Sequence, residues 1–257
     1  MSMKVLAIDS SGLVAGVALT EDNVLRAEFT VNDKKTHSQT LLPMLEQLRQ
    51  MIGLELDTVD AIAVAAGPGS FTGLRIGSAT AKGLGLALGK PLVEVPTLEA
   101  LAYNLYGTDR LVCPMMDARR NQVYTGLYEY VRGESAESAF DSPGIWTRER
   151  YELRVLQDQC AVEVTEIVEQ CNRLGREVIF LGDGVPVYLD QIRERIRVPY
   201  ALAPAHVNRQ RAGSVAALGA VYAARGRMVD AAAHQPIYLR KSQAEREREE
   251  GHDHTGA

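Results

Sequence analysis

The sequence has few of the residues that build metal sites or disulfide frameworks. Its 257 residues include three cysteines, an odd number without CxxC spacing. This pattern is typical of free thiols in a reducing cytosol rather than of a disulfide scaffold or a zinc site. His37 has Leu41 four residues later, so it lacks the second histidine of a helical metal pair. We therefore expect no bound metal and no cofactor.

Positive charge and long apolar runs are scarce as well. The formal net charge is -5 and the pI is near 5.6. These values argue against strong nucleic-acid binding by this chain alone, because phosphate contacts require a basic surface. No stretch reaches the roughly 18 apolar residues of a membrane-spanning helix, and the run from Val5 to Ile8 is too short for a signal peptide. We expect a cytoplasmic protein without a membrane partner.

Glycine, in contrast, is concentrated in one stretch. After a predicted buried strand over 60–66, residues 67–77 read Gly-Pro-Gly-Ser-Phe-Thr-Gly-Leu-Arg-Ile-Gly and open a predicted helix. Small residues recur there every four positions, on one helical face; they are Gly73, Gly77, Ala81, Gly85 and Gly89. Four glycines inside a helix cost roughly 3–4 kcal/mol relative to alanine, which close approach of another backbone can offset. Either the chain's own sheet or a second helix, from this chain or a partner, would supply that backbone.

Hydrophobic periodicity indicates an internal duplication. Residues 4–20 form two apolar strands around a polar turn that contains Asp9, and residues 111–130 repeat this order with Asp117 in the turn. Later, a buried strand over 177–181 stops before Gly182-Asp183-Gly184, as the strand over 60–66 stops before Gly67. The pattern predicts an α/β fold with two related halves.

The predicted halves are 1–107 together with 211–228, and 108–210. The helix over 211–225 consists of small residues, and we expect it to pack against the first half. Residues 241–257 are charged with almost no apolar content, so they cannot offset the entropy of ordering and are predicted to form a mobile tail.

Several local expectations complete the pattern. A helix over 34–52 either begins near Thr40 or is kinked at Pro43, since proline lacks the amide donor of a helix interior. Thr97 is the expected cap of the next helix. Residues 146–156 are expected to be connection and surface, and residues 159–174 a helix.

Two halves that each open with an aspartate-bearing hairpin resemble actin-like ATPases and sugar kinases. If such a site were active here, Asp9 and Asp117 would handle metal or base chemistry, with Ser10 and Ser11 at phosphate. The glycine stretch is neither a Walker A loop nor a dinucleotide fingerprint. Ser70 and the other two serines also lack the glycine elbow of a serine hydrolase. The alternative is that the chain keeps this fold without catalysing a reaction.

Four motifs carry a closer resemblance. They are Val5-Leu6-Ala7-Ile8-Asp9-Ser10-Ser11, His37-Ser38-Gln39 with Leu41-Leu42-Pro43, the glycine stretch over 67–77, and Pro236-Ile237-Tyr238-Leu239-Arg240. The chain resembles the TsaB (YeaZ) family, the bacterial accessory subunit for forming threonylcarbamoyladenosine in tRNA. This resemblance implies a duplicated actin-like fold and a non-catalytic partner of TsaD, the metal-containing paralogue that acts on adenosine 37 of tRNA. It also implies the ATPase TsaE as a third partner, and contact with tRNA only through the complex.

We therefore expect a scaffold that binds TsaD through the two helices over 38–52 and 72–88, or a second copy of itself when alone. The candidate interface residues are His37, Leu41, Leu45, Leu48, Thr72, Gly73, Arg75, Ile76, Gly77, Thr80 and Ala81. The alternative is an ATP-dependent transferase or kinase that uses Asp9 and Asp117. A peptidase, which rests only on a historical label of the family, is a third hypothesis.

Overall fold

A computed structural model of the chain describes residues 3–33, 36–133 and 151–240. Its framework is two five-stranded sheets. In the first sheet the strand order is β3-β2-β1-β4-β5. Its strands are β1 (Lys4–Asp9), β2 (Val14–Glu21), β3 (Val24–Asn32), β4 (Ala61–Gly67) and β5 (Leu92–Pro96).

The second sheet repeats the topology of the first. Its order is β10-β9-β6-β7-β8, and its strands are β6 (Leu111–Asp117), β7 (Gln122–Arg132), β8 (Tyr151–Glu163), β9 (Val178–Leu181) and β10 (Tyr200–Leu202). In each half the first strand pairs antiparallel with the second and parallel with the fourth. The predicted duplication and the α/β fold with two related halves are confirmed, whereas the exact boundaries of the halves stay a prediction.

Helices cover both sheets. They are α1 (His37–Ile52), α2 (Phe71–Leu88), α3 (Thr97–Tyr103), α4 (Val164–Leu174), α5 (Gly184–Arg195) and α6 (Ala212–Ala224). Helices α1 and α2 pack on one face of the first sheet and α6 on the other. Helix α3 contributes to the core of both halves, and α4 and α5 cover the far face of the second sheet. None of the helices in the described ranges has the length and apolar content needed to span a bilayer.

Side chains of the first sheet alternate between its two faces, and each face forms a separate core layer. Leu6 and Ile8 of β1 point to the core shared with α1 and α2, whereas Val5 and Ala7 point to α6. This is the period-two pattern of a strand buried on both faces. The α6 side is rich in alanine and glycine, so this helix lies close to the sheet.

The sequence-based boundaries fail in the second half. Residues 159–163, predicted as helix, are the end of β8, and α4 begins only at Val164. The described part of the segment expected to be connection, from Tyr151 onward, also belongs to β8. Helix α5 and strand β10 were not predicted. The predicted mobile tail, 241–257, lies outside the described residues.

Two predicted helix starts also require correction. Helix α1 begins at His37, three residues before Thr40, and continues through Pro43. Thr97 is the first residue of α3 rather than its cap. Its hydroxyl instead accepts a hydrogen bond from the amide of Gly67 at 3.1 Å, which ties the start of α3 to the end of β4.

Candidate functional site

The turn after β1 is packed from several sides by the chain itself. Asp9 is 1% exposed, and its Oδ1 accepts bonds from the Ser11 amide and hydroxyl at 2.9 and 2.7 Å. The amide of Ser70, the N-cap of α2, donates to the Ser11 carbonyl at 2.7 Å. On the other side, His37 Nε2 donates to the Gly12 carbonyl at 2.8 Å. Burial raises the pKa of the Asp9 carboxyl.

The glycine stripe of α2 faces this turn. A Cβ added at Gly73 would overlap the Ser10 carbonyl oxygen, and one added at Gly77 would overlap the Ser10 hydroxyl. That hydroxyl donates to the carbonyl of Gly73 at 2.8 Å. Further along, Ala81 lies in the core and Gly85 against Leu92. The close contacts at Gly73, Gly77 and Gly85 therefore come from the chain itself, both backbone and side chain, and the hypothesis of a second helix against this stripe is wrong.

The second turn aspartate is engaged as well. Asp117 Oδ1 accepts bonds from the Arg119 amide at 2.8 Å and the Tyr188 hydroxyl at 2.9 Å, and Oδ2 pairs with the Arg119 guanidinium at 3.1 Å. Burial and the neighbouring Asp117 raise the pKa of Tyr188 to about 12, so this hydroxyl stays a donor. The half-buried Asp183 carboxylate accepts a hydrogen bond from the Asp117 amide at 3.3 Å. The Asp117 carboxylate therefore stabilises the second turn.

The second turn also has an unusual backbone. Arg119, Arg120 and Asn121 have φ values of 64°, 56° and 59°. The left-handed conformation costs a non-glycine residue roughly 1–2 kcal/mol, so the Asp117 contacts offset a strained loop. The glycines of a phosphate-binding turn are replaced here by bulky side chains.

The last of the four motifs that carry the resemblance links the end of β4 to the second turn, although the sequence did not predict these contacts. We call residues Pro236 to Arg240 the strap. The Ile237 amide donates to the Ala66 carbonyl at 2.6 Å, and Arg240 Nη1 donates to the Ala118 carbonyl at 2.7 Å. A Cβ at Gly67 would overlap the Ile237 carbonyl oxygen. The strap therefore crosses from the end of β4, in the first half, to the second turn, in the second half.

The predicted interface residues divide into two groups. The buried group packs into the chain's own core, which corrects the expectation of direct partner contact; it consists of Leu41, Leu45, Leu48, Gly73, Gly77 and Ala81. The second group is exposed or half-buried, and its role stays a prediction; it consists of His37, Thr72, Arg75, Ile76 and Thr80.

The opposite side of α2 carries small residues that the spacing analysis missed. We call Thr72, Arg75, Ala79, Gly83 and Leu86 the outer stripe; all five are exposed. A Cβ added at Gly83 would meet nothing within 4 Å, and Leu86 is 60% exposed. On α1, Leu42 and Met51 are 55% and 71% exposed. The signal that could have identified this side is the second series of small residues at helical spacing.

No metal centre is evident in the parts of the chain that the structure describes. Within residues 3–33, 36–133 and 151–240, no three His, Cys, Asp or Glu side chains come together as a metal site would require. The three cysteines are free, and Cys113 and Cys171 are buried. The expectation that the chain binds no metal stays a prediction.

Known proteins are similar to this chain in sequence and in structure. The family model described as "TsaD: tRNA N6-adenosine threonylcarbamoyltransferase" matches residues 25–248. A Bacillus subtilis (strain 168) protein named "tRNA threonylcarbamoyladenosine biosynthesis protein TsaB" is 33% identical over 95% of this chain and 96% of its own length. The Escherichia coli (strain K12) protein of the same name is 32% identical over 94% of this chain and 96% of its own.

Solved structures agree with these relatives. The structure titled "YeaZ from Pseudomonas aeruginosa" superposes with a TM-score of 0.71 at 28% identity, covering 92% of this chain and all of that one. A second Pseudomonas aeruginosa structure, described as similar to peptidase YEAZ, superposes with a TM-score of 0.74 at 28% identity over 93% of this chain. The chain therefore belongs to the TsaB (YeaZ) family and carries the TsaD-like domain that the family model describes.

Proposed function

We propose that this chain is a non-catalytic subunit in the formation of threonylcarbamoyladenosine in tRNA, and that it binds the catalytic paralogue TsaD through the outer stripe. The names of its relatives support the pathway. The observation that carries the binding role is the outer stripe itself, an exposed helical side with small and apolar residues, Ala79, Gly83 and Leu86, after Thr72 and Arg75.

The outer stripe suits a helix from a partner. Exposed Ala79 and Gly83 leave the α2 backbone open to close approach, as small residues do at helix–helix contacts. Leu86, at 60% exposure, still has most of its side chain to bury. Full burial of a leucine contributes about 1.5–3 kcal/mol, so each such side chain is a substantial part of an interface.

The turn contacts support a role without catalysis. A reactive carboxylate must reach its substrate within hydrogen-bond distance, but Asp9 is buried beneath the N-terminus of α2 and Asp117 holds its own turn. These contacts disfavour the ATP-dependent transferase or kinase, and no observation favours it.

Other partners follow from the same proposal. When TsaD is absent, the outer stripe pairs with the same surface of a second copy, which gives a homodimer. TsaE joins the complex as the third protein, and productive binding of tRNA requires that complex, in the cytoplasm.

Substitution of Leu86 by arginine tests the binding role. Val187 on α5 offers a matched control, since it is an apolar helical residue with 58% exposure on the other half of the molecule. Leu86→Arg is expected to abolish association with TsaD and with a second copy in sedimentation velocity, because a charge cannot be buried there without a partner. Val187→Arg is expected to behave as the parent.

Equal association of both variants with TsaD would contradict the proposal. Thermal unfolding of the two variants, measured at concentrations where the chain is monomeric, controls for loss of folding.

A further inference from the structure

Aromatic and arginine side chains form a strip along the start of α2 and the strap. The Phe71 ring lies 4.6 Å from the Tyr238 ring, centroid to centroid, and the Arg75 guanidinium carbon lies 4.0 Å from the Phe71 centroid. Tyr238 is 39% exposed. The start of α2 and the strap thus present stacked aromatic surface to solvent.

The strap carries this strip to the second turn. Arg240, two residues after Tyr238, donates to the Ala118 carbonyl at 2.7 Å. Arg119 and Arg120 follow directly and are exposed, with the Arg119 side chain at 85%. In the described part of the chain, neither Arg120 nor Arg240 lies within ion-pair distance of a carboxylate.

The acidic groups beside the strip are mostly recessed. The Asp117 side chain is 11% exposed and Asp183 is largely buried, with a pKa raised by that burial. Glu163 is exposed; it is the last residue of β8 and pairs with Gln122 of β7. The outermost charges of the second turn are therefore guanidinium groups, in a chain whose net charge is -5.

We propose that this strip, consisting of Phe71, Tyr238, Arg119, Arg120 and Arg240, binds a single-stranded RNA segment such as the loop of a tRNA. Bases stack on exposed aromatic rings, and arginines contact the phosphates between them. The choice of tRNA rests on the proposed function. Because the strip is short and the chain is acidic, its contribution is weak alone and adds to that of the complex.

Fluorescence anisotropy of the full chain with a labelled tRNA anticodon stem–loop RNA tests this proposal. The variants are Tyr238→Leu and Arg120→Gln. Matched controls are Tyr200→Leu, since Tyr200 is 37% exposed on β10, and Arg195→Gln, an exposed arginine at the end of α5. Each variant is also mixed with TsaD in sedimentation velocity, which reports the protein contact separately.

Tyr238→Leu is expected to weaken RNA binding about tenfold at low salt, the effect of losing one stacked base. Arg120→Gln is expected to reduce the slope of log affinity against log salt by about 0.7, the value for one phosphate contact to a single strand. Both control variants are expected to bind RNA as the parent does, and all four to bind TsaD normally.

Three results would overturn the proposal. They are no detectable RNA binding by the parent at low salt, equal losses in the control variants, and loss of TsaD association by Tyr238→Leu with RNA binding unchanged. The last result would make the strip a protein contact. Failure of the proposed function is distinguishable, because Leu86→Arg affects TsaD association and leaves RNA binding by the free chain intact.

Discussion

Adding one methyl group at Gly77 tests how α2 is seated on the first turn. The new Cβ would overlap the Ser10 hydroxyl, which is buried and donates to the Gly73 carbonyl. Displacing that hydroxyl leaves a buried polar group without its bond, which costs about 1–3 kcal/mol. Alanine gains about 0.8–1 kcal/mol over glycine in a helix. Gly77→Ala is therefore expected to be neutral to destabilising, by up to about 2 kcal/mol.

Removing the Ser10 hydroxyl reverses the sign of the stability change expected for Gly77→Ala. The Ser10 Cβ lies 3.6 Å from the position of the added methyl group, an ordinary van der Waals distance. In a Ser10→Ala background, Gly77→Ala is therefore expected to stabilise the chain by about 0.8–1 kcal/mol. Gly83→Ala, which meets nothing within 4 Å, is expected to do the same in the parent. The double-mutant cycle then gives a coupling energy of about 1–3 kcal/mol.

Thermal unfolding of the four proteins of the cycle measures this coupling. For a chain of this size, 1 kcal/mol corresponds to roughly 2–4 °C in the midpoint. The measurement is made below the dissociation constant of any dimer, because association stabilises the folded state. If Gly77→Ala were as stabilising as Gly83→Ala in the parent, α2 would not pack on Ser10, and the glycine stripe would be open to a partner.

Three further predictions follow from the turns and the composition. Burial raises the pKa of Asp9 above its usual 3.8, so folding favours the protonated form and the parent loses stability as pH rises from about 3.8 through the raised pKa. Asp9→Asn keeps an acceptor for Ser11 and is expected to gain stability relative to the parent over that pH window. The measurement is the thermal midpoint of both proteins as a function of pH. A difference in midpoint that does not change with pH would show that the carboxyl is not desolvated. Isothermal titration with ATP and magnesium is expected to show no binding tighter than about 100 μM, or about 5.5 kcal/mol, and a micromolar site lost in Asp9→Asn would favour the enzyme. Elemental analysis of the purified chain, after removal of any purification tag, is expected to find less than one equivalent of zinc or iron, and a full equivalent that survives deletion of 252–257 would contradict this.

The first half was predictable because its strands and helices have clear periods. β1 and β2 flank a polar turn, and α1 has leucines at regular helical spacing. In the second half β8 is an edge strand with exposed residues and irregular register opposite Leu127, so its alternation is broken. Its final residues therefore merged with the helical pattern of α4 in the sequence.

The candidate site was only partly predictable because α2 has small residues on two sides. Gly73 and Gly77 recur at helical spacing, but so do Ala79 and Gly83, which are also four residues apart. Spacing alone cannot decide which side meets the chain's own turn, since that depends on where Ser10 lies in three dimensions. The contacts of the strap were missed for a related reason: its partners, Ala66 and Ala118, are distant in sequence.

A reconstituted reaction that forms threonylcarbamoyladenosine in tRNA, with TsaD and its partner proteins, tests the central claim most directly. This chain is supplied as the parent, as the Asp9→Asn, Asp117→Asn double variant, or as Leu86→Arg. If it is a non-catalytic subunit that acts through the outer stripe, the double variant supports the parent's rate, because asparagine keeps the acceptor oxygens of both turns, and Leu86→Arg does not. Loss of the reaction in the double variant while it still binds TsaD, together with full activity of Leu86→Arg, would contradict the account.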